Sequence, residues 1–334
     1  MGRFIHLSEM STSVHSGRMK TSAEASGRQS ETIDAMDAMF DELVTQPFRL
    51  TGSEGVRWGG EFSAMPVTML RPHSELDLAR LARIEASRPG LSVILVEHPV
   101  RGLPTDLRGG GGPVVLLETR PALLQVDVLA ATRAGALLAT LSPEVPGAVS
   151  GLDLRDALLR SLLLGTYLRS AGSVTGPGFL RYAPVEPAVA WTETSGASER
   201  LRVLTGDDFL PAFGGGRSGG SRLAAGFGRI AGVPLGLVAR EDAVLVPARR
   251  GAALRLRLLA SVCATAGLPL AVIGAPGELA APLAALTESM IDSPRIVVVA
   301  DATSAADGTS PQLPTLLPDS LRGWLHYQAT VLGM

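Results

Sequence analysis

RPGLSVILVEHP (Arg88–Pro99) and TAGLPLAVIGAP (Thr265–Pro276) are two versions of one pattern. Each has a glycine, Gly90 or Gly267, followed by a run that is apolar apart from Ser92 in the first. A run without polar alternation is the pattern of a strand buried on both faces, inside a sheet covered by helices. A second pair follows in the same order: GPVVLLE (Gly112–Glu118) and SPRIVVVAD (Ser293–Asp301). Two strands repeated in one order imply an internal duplication, with units of about 150 residues at ordinary domain sizes.

Working outward, each pair sits in strand–helix alternation. In the first half, Ala64–Leu70 predicts a strand, and Ser74 caps a helix through Leu78, Leu81 and Ile84 that stops at Pro89-Gly90. Leu91–Glu97, Pro113–Leu117 and Val126–Leu129 follow as further strands. In the second half, Phe227–Ala239 predicts a hairpin turning at Ala231-Gly232. Ala252–Thr265 predicts a helix ended by Gly267, Leu268–Ile273 a strand, Ala280–Met290 a helix and Arg295–Ala300 a strand. Upstream, Thr32–Leu43 has Ile33, Met36, Met39, Phe40 and Leu43 at helical spacing. The class is α/β. The expected organisation is a disordered tail over 1–31, one unit over 32–174, a Gly/Pro-rich linker over 175–221 and a second unit over 222–334. In that linker GGGRSGGS (Gly214–Ser221) reads as a flexible connector or as a phosphate-cradling loop. A phosphate loop should open directly into a helix, whereas a strand-like segment follows here.

Composition narrows the function. The net charge of -2 and the lack of a long basic stripe argue against nucleic acid as a partner. The longest apolar runs are too short to span a bilayer, and the N-terminus has no apolar signal core, so no membrane partner is expected. Cys263 is the only cysteine, which excludes an internal disulfide and suits a cytoplasmic protein. One Cys and five His show no zinc-ligand spacing. No nucleophile elbow, Walker loop or dinucleotide fingerprint is present.

Further stretches carry a resemblance. GFGRIAGVPLGLVA (Gly226–Ala239), VCATAGLPLAVIGAPG (Val262–Gly277), SPRIVVVADATSAAD (Ser293–Asp307) and WLHYQATVLG (Trp324–Gly333) resemble, in order, four motifs of the carboxyltransferase (β) subunits of acyl-CoA carboxylases. In the first half, VDVLAATRAGALLATLSPEV (Val126–Val145) and GAVSGLDL (Gly147–Leu154) are similar to further stretches of that family. The resemblance implies two tandem crotonase-like domains, built as ββα superhelices. It also implies a mechanism in which paired backbone N–H groups in each half steady negative charge, on a thioester enolate in one and on a biotin ureido oxygen in the other. Glycines at such sites let the backbone approach the ligand.

On that resemblance the family's Gly-Gly-Ala loop aligns with Ala305, Ala306 and Asp307, the implied catalytic residues. Asp307 would set a carboxylate beside a developing enolate, and the family's Arg-Lys before the loop is Asp301-Ala302 here. Implied substrate contacts are Gly274, Ala275, Gly277 and Thr309, with Gly111, Gly112 and His98 in the first half. The first-half loop expected after Pro113–Pro121 is missing, because the chain goes almost directly to Val126-Asp127. GGGG (Gly109–Gly112) either replaces its N–H pair or is a plain loop. His98, at the end of a strand, is a general acid or an ordinary surface or core histidine. Arg249-Arg250 meets a CoA phosphate or is solvated surface.

The implied substrate is an acyl-CoA or an acyl-carrier protein, with CoA or phosphopantetheine as part of it. No covalent cofactor is expected, since no biotin-attachment Met-Lys-Met occurs, and any biotin would arrive on a partner. Two functions stand: carboxyl transfer or decarboxylation through an enolate, or a catalytically inactive pseudoenzyme subunit assembling with an active carboxylase paralogue. A homodimer or higher oligomer is expected in either case.

Overall fold

In both halves an antiparallel hairpin leads into parallel strands. The computed structural model describes residues 34–103, 107, 111–141, 149–172, 198, 201–202, 205–213, 223–230, 233–240, 250–268, 270–274 and 296–300. Residues 34–43 form helix α1. The first sheet has seven strands in sequence order: β1 (Thr45–Gly52), β2 (Gly55–Phe62), β3 (Met65–Pro72), β4 (Leu91–Val96), β5 (Val114–Glu118), β6 (Ala136–Thr140) and β7 (Val149–Ser150). β1, β2 and β3 pair antiparallel, and β3 through β7 run parallel. Helix α2 (Glu75–Glu85) joins β3 to β4, and α3 (Val128–Ala134) joins β5 to β6.

The second sheet has the same layout. β8 (Phe209–Pro211), β9 (Leu223–Ile230) and β10 (Val233–Arg240) pair antiparallel, and β10, β11 (Leu270–Gly274) and β12 (Ile296–Ala300) run parallel. Helix α5 (Arg250–Ala266) joins β10 to β11, as α2 joins β3 to β4. The duplicated stretches thus occupy matching places: β4 and β5 in one sheet, β11 and β12 in the other. Gly90 and Gly267 match too, with φ of 96° and 70° before the corresponding strands, the left-handed region open to glycine.

Most expected elements are present. Ser74 caps α2 by accepting from the Asp77 N–H, and all six residues of β4 are buried. Ile230 pairs with Val233, so the expected hairpin of β9 and β10 forms. The helix expected over Ala280–Met290 lies outside the described residues. Two expectations are corrected. Val126–Leu129 is not a strand. Asp127 accepts from the N–H groups of Leu129 and Ala130, starting α3, and Gly135 at φ 98° ends it. A cap at each end outweighs the β-branched character of Val126 and Val128, and the strand comes later, as β6. The span 175–221 is not linker throughout. Its apolar pair Phe209-Leu210 lies in β8, the edge of the second sheet, and Leu201 and Phe213 are fully buried.

The first hairpin, β1–β2, is absent from the sequence reading because β1 is exposed along its whole length and β2 is broken by Gly59 and Gly60. The Phe48 ring lies over Gly59, where a Cβ would come within 2.1 Å of it. Trp58 is buried, and its indole N–H donates to Asp37 of α1, which also pairs with Arg49. This ties α1 to the sheet.

Helix α4 (Leu154–Gly172) contacts both sheets, β3 to β7 on one side and β8 to β10 on the other. Ala157, Leu158, Leu162, Leu164, Tyr167 and Leu168 are all buried, so its apolar surface is not one stripe but extends round the helix. A single apolar cluster runs from α1 through both sheets to α5. No helix among the described residues is long and apolar enough to cross a membrane.

Gly111 and Gly112 are packed against the turn after α2. A Cβ on Gly112 would lie 1.4 Å from the Gly90 carbonyl oxygen, whereas one on Gly102 would meet nothing within 4 Å. Gly112→Ala is therefore expected to destabilise the fold by about 3 kcal/mol or more, and Gly102→Ala to stay within about 0.5 kcal/mol of the parent. Urea melts of the two variants check this.

Candidate functional site

Sites in parallel α/β sheets form beyond the carboxyl ends of the strands. In the first sheet that rim is built from Arg71, Glu97, His98, Glu118, Thr119, Arg120, Thr140 and Leu141. Register puts Glu118 beside Val96. Glu97 is held on both sides: its carboxylate accepts from Arg71 Nε at 2.9 Å and its carbonyl from Arg120 at 3.0 Å. His98 follows and is exposed. The segment after it is stitched to the next loop, with Val100 N–H donating to Leu123 O at 2.9 Å and Gln125 N–H to Val100 O at 3.0 Å.

Glu118 is the notable residue here. It closes an otherwise apolar strand and is fully buried. Its Oε2 accepts the N–H groups of Leu123 and Leu124 at 3.2 and 3.4 Å, and its Oε1 accepts that of Leu141 at 2.7 Å. Ala122, at φ 65°, turns the chain so that these amides face back.

Gly111 and Gly112 do not supply a replacement N–H pair. They precede β5, at the opposite end of the sheet from the rim, and both amides are engaged: Gly111 donates to Ala86 O at 3.0 Å and Gly112 to Arg88 O at 2.7 Å. The missing Cβ atoms serve backbone packing. His98 is thus at one end of the sheet and the two glycines at the other.

In the second sheet, Gly274 ends β11 and pairs with Ala300, which ends β12. Both are at the carboxyl rim, and the chain continues from Ala300 into Asp301 and on to the 305–307 stretch. Ala275, Gly277, Ala305, Ala306, Asp307 and Thr309 themselves lie outside the described residues, as do Arg249 and residues 214–221.

A polar cluster between the sheets has no counterpart in the sequence reading. Tyr167 of α4 donates its hydroxyl to Asp208 Oδ1 at 2.5 Å, and Arg229 of β9 pairs with Asp208 Oδ2 at 3.0 Å. Arg229 also donates to Thr166 Oγ1 at 3.1 Å, with its guanidinium carbon 4.5 Å from the Tyr167 ring centroid. Tyr167 stacks on Phe227 at 6.4 Å. Burial, and then the Asp208 hydrogen bond, push the phenol well above its ordinary range. The available signal was a charge inside a hairpin, Arg229, with apolar neighbours on both sides in β9 and β10 up to the terminal Arg240. Cys263 faces Gly236, where a Cβ would fall 2.3 Å from the sulfur, and burial pushes its thiol up. It is packed as a small apolar side chain rather than poised as a nucleophile.

No protein-family profile matches the chain, and no curated protein does. Solved structures similar to it include two of transcarboxylase 12S, described as a hexamer assembly with substrate binding to a multienzyme core. The one with methylmalonyl-CoA and methylmalonic acid bound is 12% identical, with a TM-score of 0.41 over 78% of this chain and 70% of that one. The one with hydrolysed methylmalonyl-CoA bound is 13% identical, with a TM-score of 0.43 over 86% and 79%. A single-chain, multi-domain long-chain acyl-CoA carboxylase is 12% identical, with a TM-score of 0.48 over 89% of this chain and 45% of that one. At these scores the likenesses are distant.

Two outcomes follow from the buried groups. Tyr167→Phe removes the hydroxyl and keeps the ring, so a loss of about 1–2 kcal/mol is expected. Because folding raises the phenol's pKa, its contribution is full below the unfolded value of about 10 and is lost as pH climbs beyond it. Denaturation series at rising pH should show that alkaline loss in the parent, and a smaller one in Tyr167→Phe. Cys263 should resist iodoacetamide in native protein and react after denaturation, as read by mass spectrometry.

Proposed function

We propose that this chain is a carboxyltransferase-like protein acting on an acyl thioester, as acyl-CoA or on an acyl-carrier protein, with its chemistry in the second half. The observation that carries the reading is the pairing of Gly274 with Ala300 at the carboxyl rim of a sheet laid out like its partner. In sequence those two strand ends run on into the stretches that resemble the family's substrate contacts, GAPG (Gly274–Gly277), and its oxyanion loop, DATSAAD (Asp301–Asp307). Transcarboxylase 12S and the long-chain acyl-CoA carboxylase, distant likenesses, act in the same chemical class by name.

In this reading the N–H groups of Ala305 and Ala306 receive the thioester oxygen. The bond between the α-carbon and the carboxyl group breaks, carbon dioxide leaves, and the electron pair passes into the enolate. The α-carbon then takes a proton from solvent. Donors set in advance for that oxyanion supply the stabilisation. Among the described residues of the first half, the amides of Gly111, Gly112, Leu123, Leu124 and Leu141 are engaged within the chain and so do not form a biotin-side donor pair. That favours decarboxylation over transfer from a partner-borne carboxybiotin. The same observation favours a second reading, a cytoplasmic pseudoenzyme subunit that assembles with an active paralogue.

Incubation with malonyl-CoA, methylmalonyl-CoA and the acyl-carrier equivalents, followed by mass spectrometry, tests the first reading. The expected result is the decarboxylated thioester. Ala306→Val should lower the rate by on the order of 10²-fold by crowding the oxyanion, and Asp307→Asn should raise it by removing a like charge. No product with any of these substrates would sink the decarboxylase reading. Light scattering after co-expression with a carboxyltransferase paralogue tests the second: a stable hetero-oligomer supports it, and homo-oligomers alone refute it.

A further inference from the structure

We propose that the carboxyl rim of the first sheet is an anion-binding nest that the chain fills with its own carboxylate, Glu118. Consecutive backbone N–H groups turned to one point by a left-handed residue form a concavity that binds anions. Here Ala122 at φ 65° is the left-handed residue, and the amides of Leu123 and Leu124 converge on Glu118 Oε2. The Leu141 amide, from the end of the neighbouring strand, closes the other side on Oε1. Among the described residues, these three amides are the carboxylate's partners, and none is a cation.

The arrangement is economical only with a carboxylate in place. A fully buried carboxylate without partners costs far more than it returns, and three buried amides without an acceptor carry their own desolvation penalty. Each therefore requires the other. Two connections converge here, the loop after β5 and the end of β6, and the 98–101 segment is tied to the first by Val100. The ligand class for which the nest is shaped is a small planar oxyanion such as formate or acetate. In the native chain that place is taken, so among the described residues this nest is not a vacant oxyanion site. The inference is independent of the acyl-thioester reading, because a protein with no catalytic activity would show it equally.

Thermal melts of Glu118→Ala with sodium formate, sodium acetate or sodium chloride test it. The variant should melt several degrees below the parent. Formate and acetate should raise its melting temperature saturably, chloride should not at equal ionic strength, and the parent should show no such specific rise. Glu118→Gln fills the space but keeps one acceptor oxygen and turns an NH2 group toward the amide on the other side, so it should be destabilised without rescue. Identical salt responses in parent and Glu118→Ala would overturn the proposal. If Glu118→Ala does not fold, hydrogen exchange decides: the amides of Leu123, Leu124 and Leu141 should exchange at least tenfold faster in Glu118→Gln than in the parent. Equal rates at all three would overturn it as well.

Discussion

A helix with a sheet on each side keeps little surface for water, and α4 is such a helix, with Arg155 at its start left exposed. Its leucines meet both sheets, and its buried polar side chains must find partners within the protein. Ser161 donates back to the Ala157 carbonyl at 2.7 Å. Gly165 lets Leu91 and Met65 approach the helix, where a Cβ would come within 2.8 Å of Leu91. Thr166 and Tyr167 turn to the second sheet and meet Arg229 and Asp208. Apolar contact alone would let the sheets slide, since it has no direction. The hydrogen-bonded cluster gives the contact a direction. Its four side chains come from α4, β9 and the turn before β8, so it forms only when both sheets are in place.

That joint holds together two halves with one topology and different rims. β5 ends in Glu118, whose carboxylate draws the following loop back onto the sheet. β12 ends in Ala300, beside Gly274, with no charge at either position. A charged side chain at a strand end must be satisfied, and the cheapest donors are the amides of the adjoining loop. A strand ending in Ala imposes no such demand on the chain that follows. The described residues of the halves differ at that position, and it bears on function because rim amides bound to Glu118 cannot serve a ligand.

Much of the fold was legible in local pattern. β4, β5, β11 and β12 are apolar runs bounded by Gly and Pro, and a buried strand has few other ways to look. α2 has a serine cap and a glycine stop. Where reading failed, a local signal was outweighed or absent. The β-branched start of α3 concealed a helix whose two caps, Asp127 and Gly135, decide its conformation. The β1–β2 hairpin has an exposed first strand and Gly59-Gly60 after Trp58 in the second, so its alternation is short and interrupted. β8 was hidden among Gly- and Pro-rich neighbours. Of the candidate site, Gly274 was traced to a strand end, while Gly111 and Gly112, read as possible donors, are spacers for backbone packing against Gly90.

The order of strands, the duplication and the resemblance to carboxyltransferases all follow from residues close together along the chain. Hydrophobic periodicity and capping are local properties, so one sequence suffices for them. Glu118 with Leu141, separated by 23 positions, and Tyr167 with Asp208, separated by 41, are of another kind. No local pattern marks which amide or carboxylate a buried polar group will meet. That is set by how the strands stack and where each loop returns, and it was the tertiary structure that gave Glu118 three amides and Arg229 its place over Tyr167.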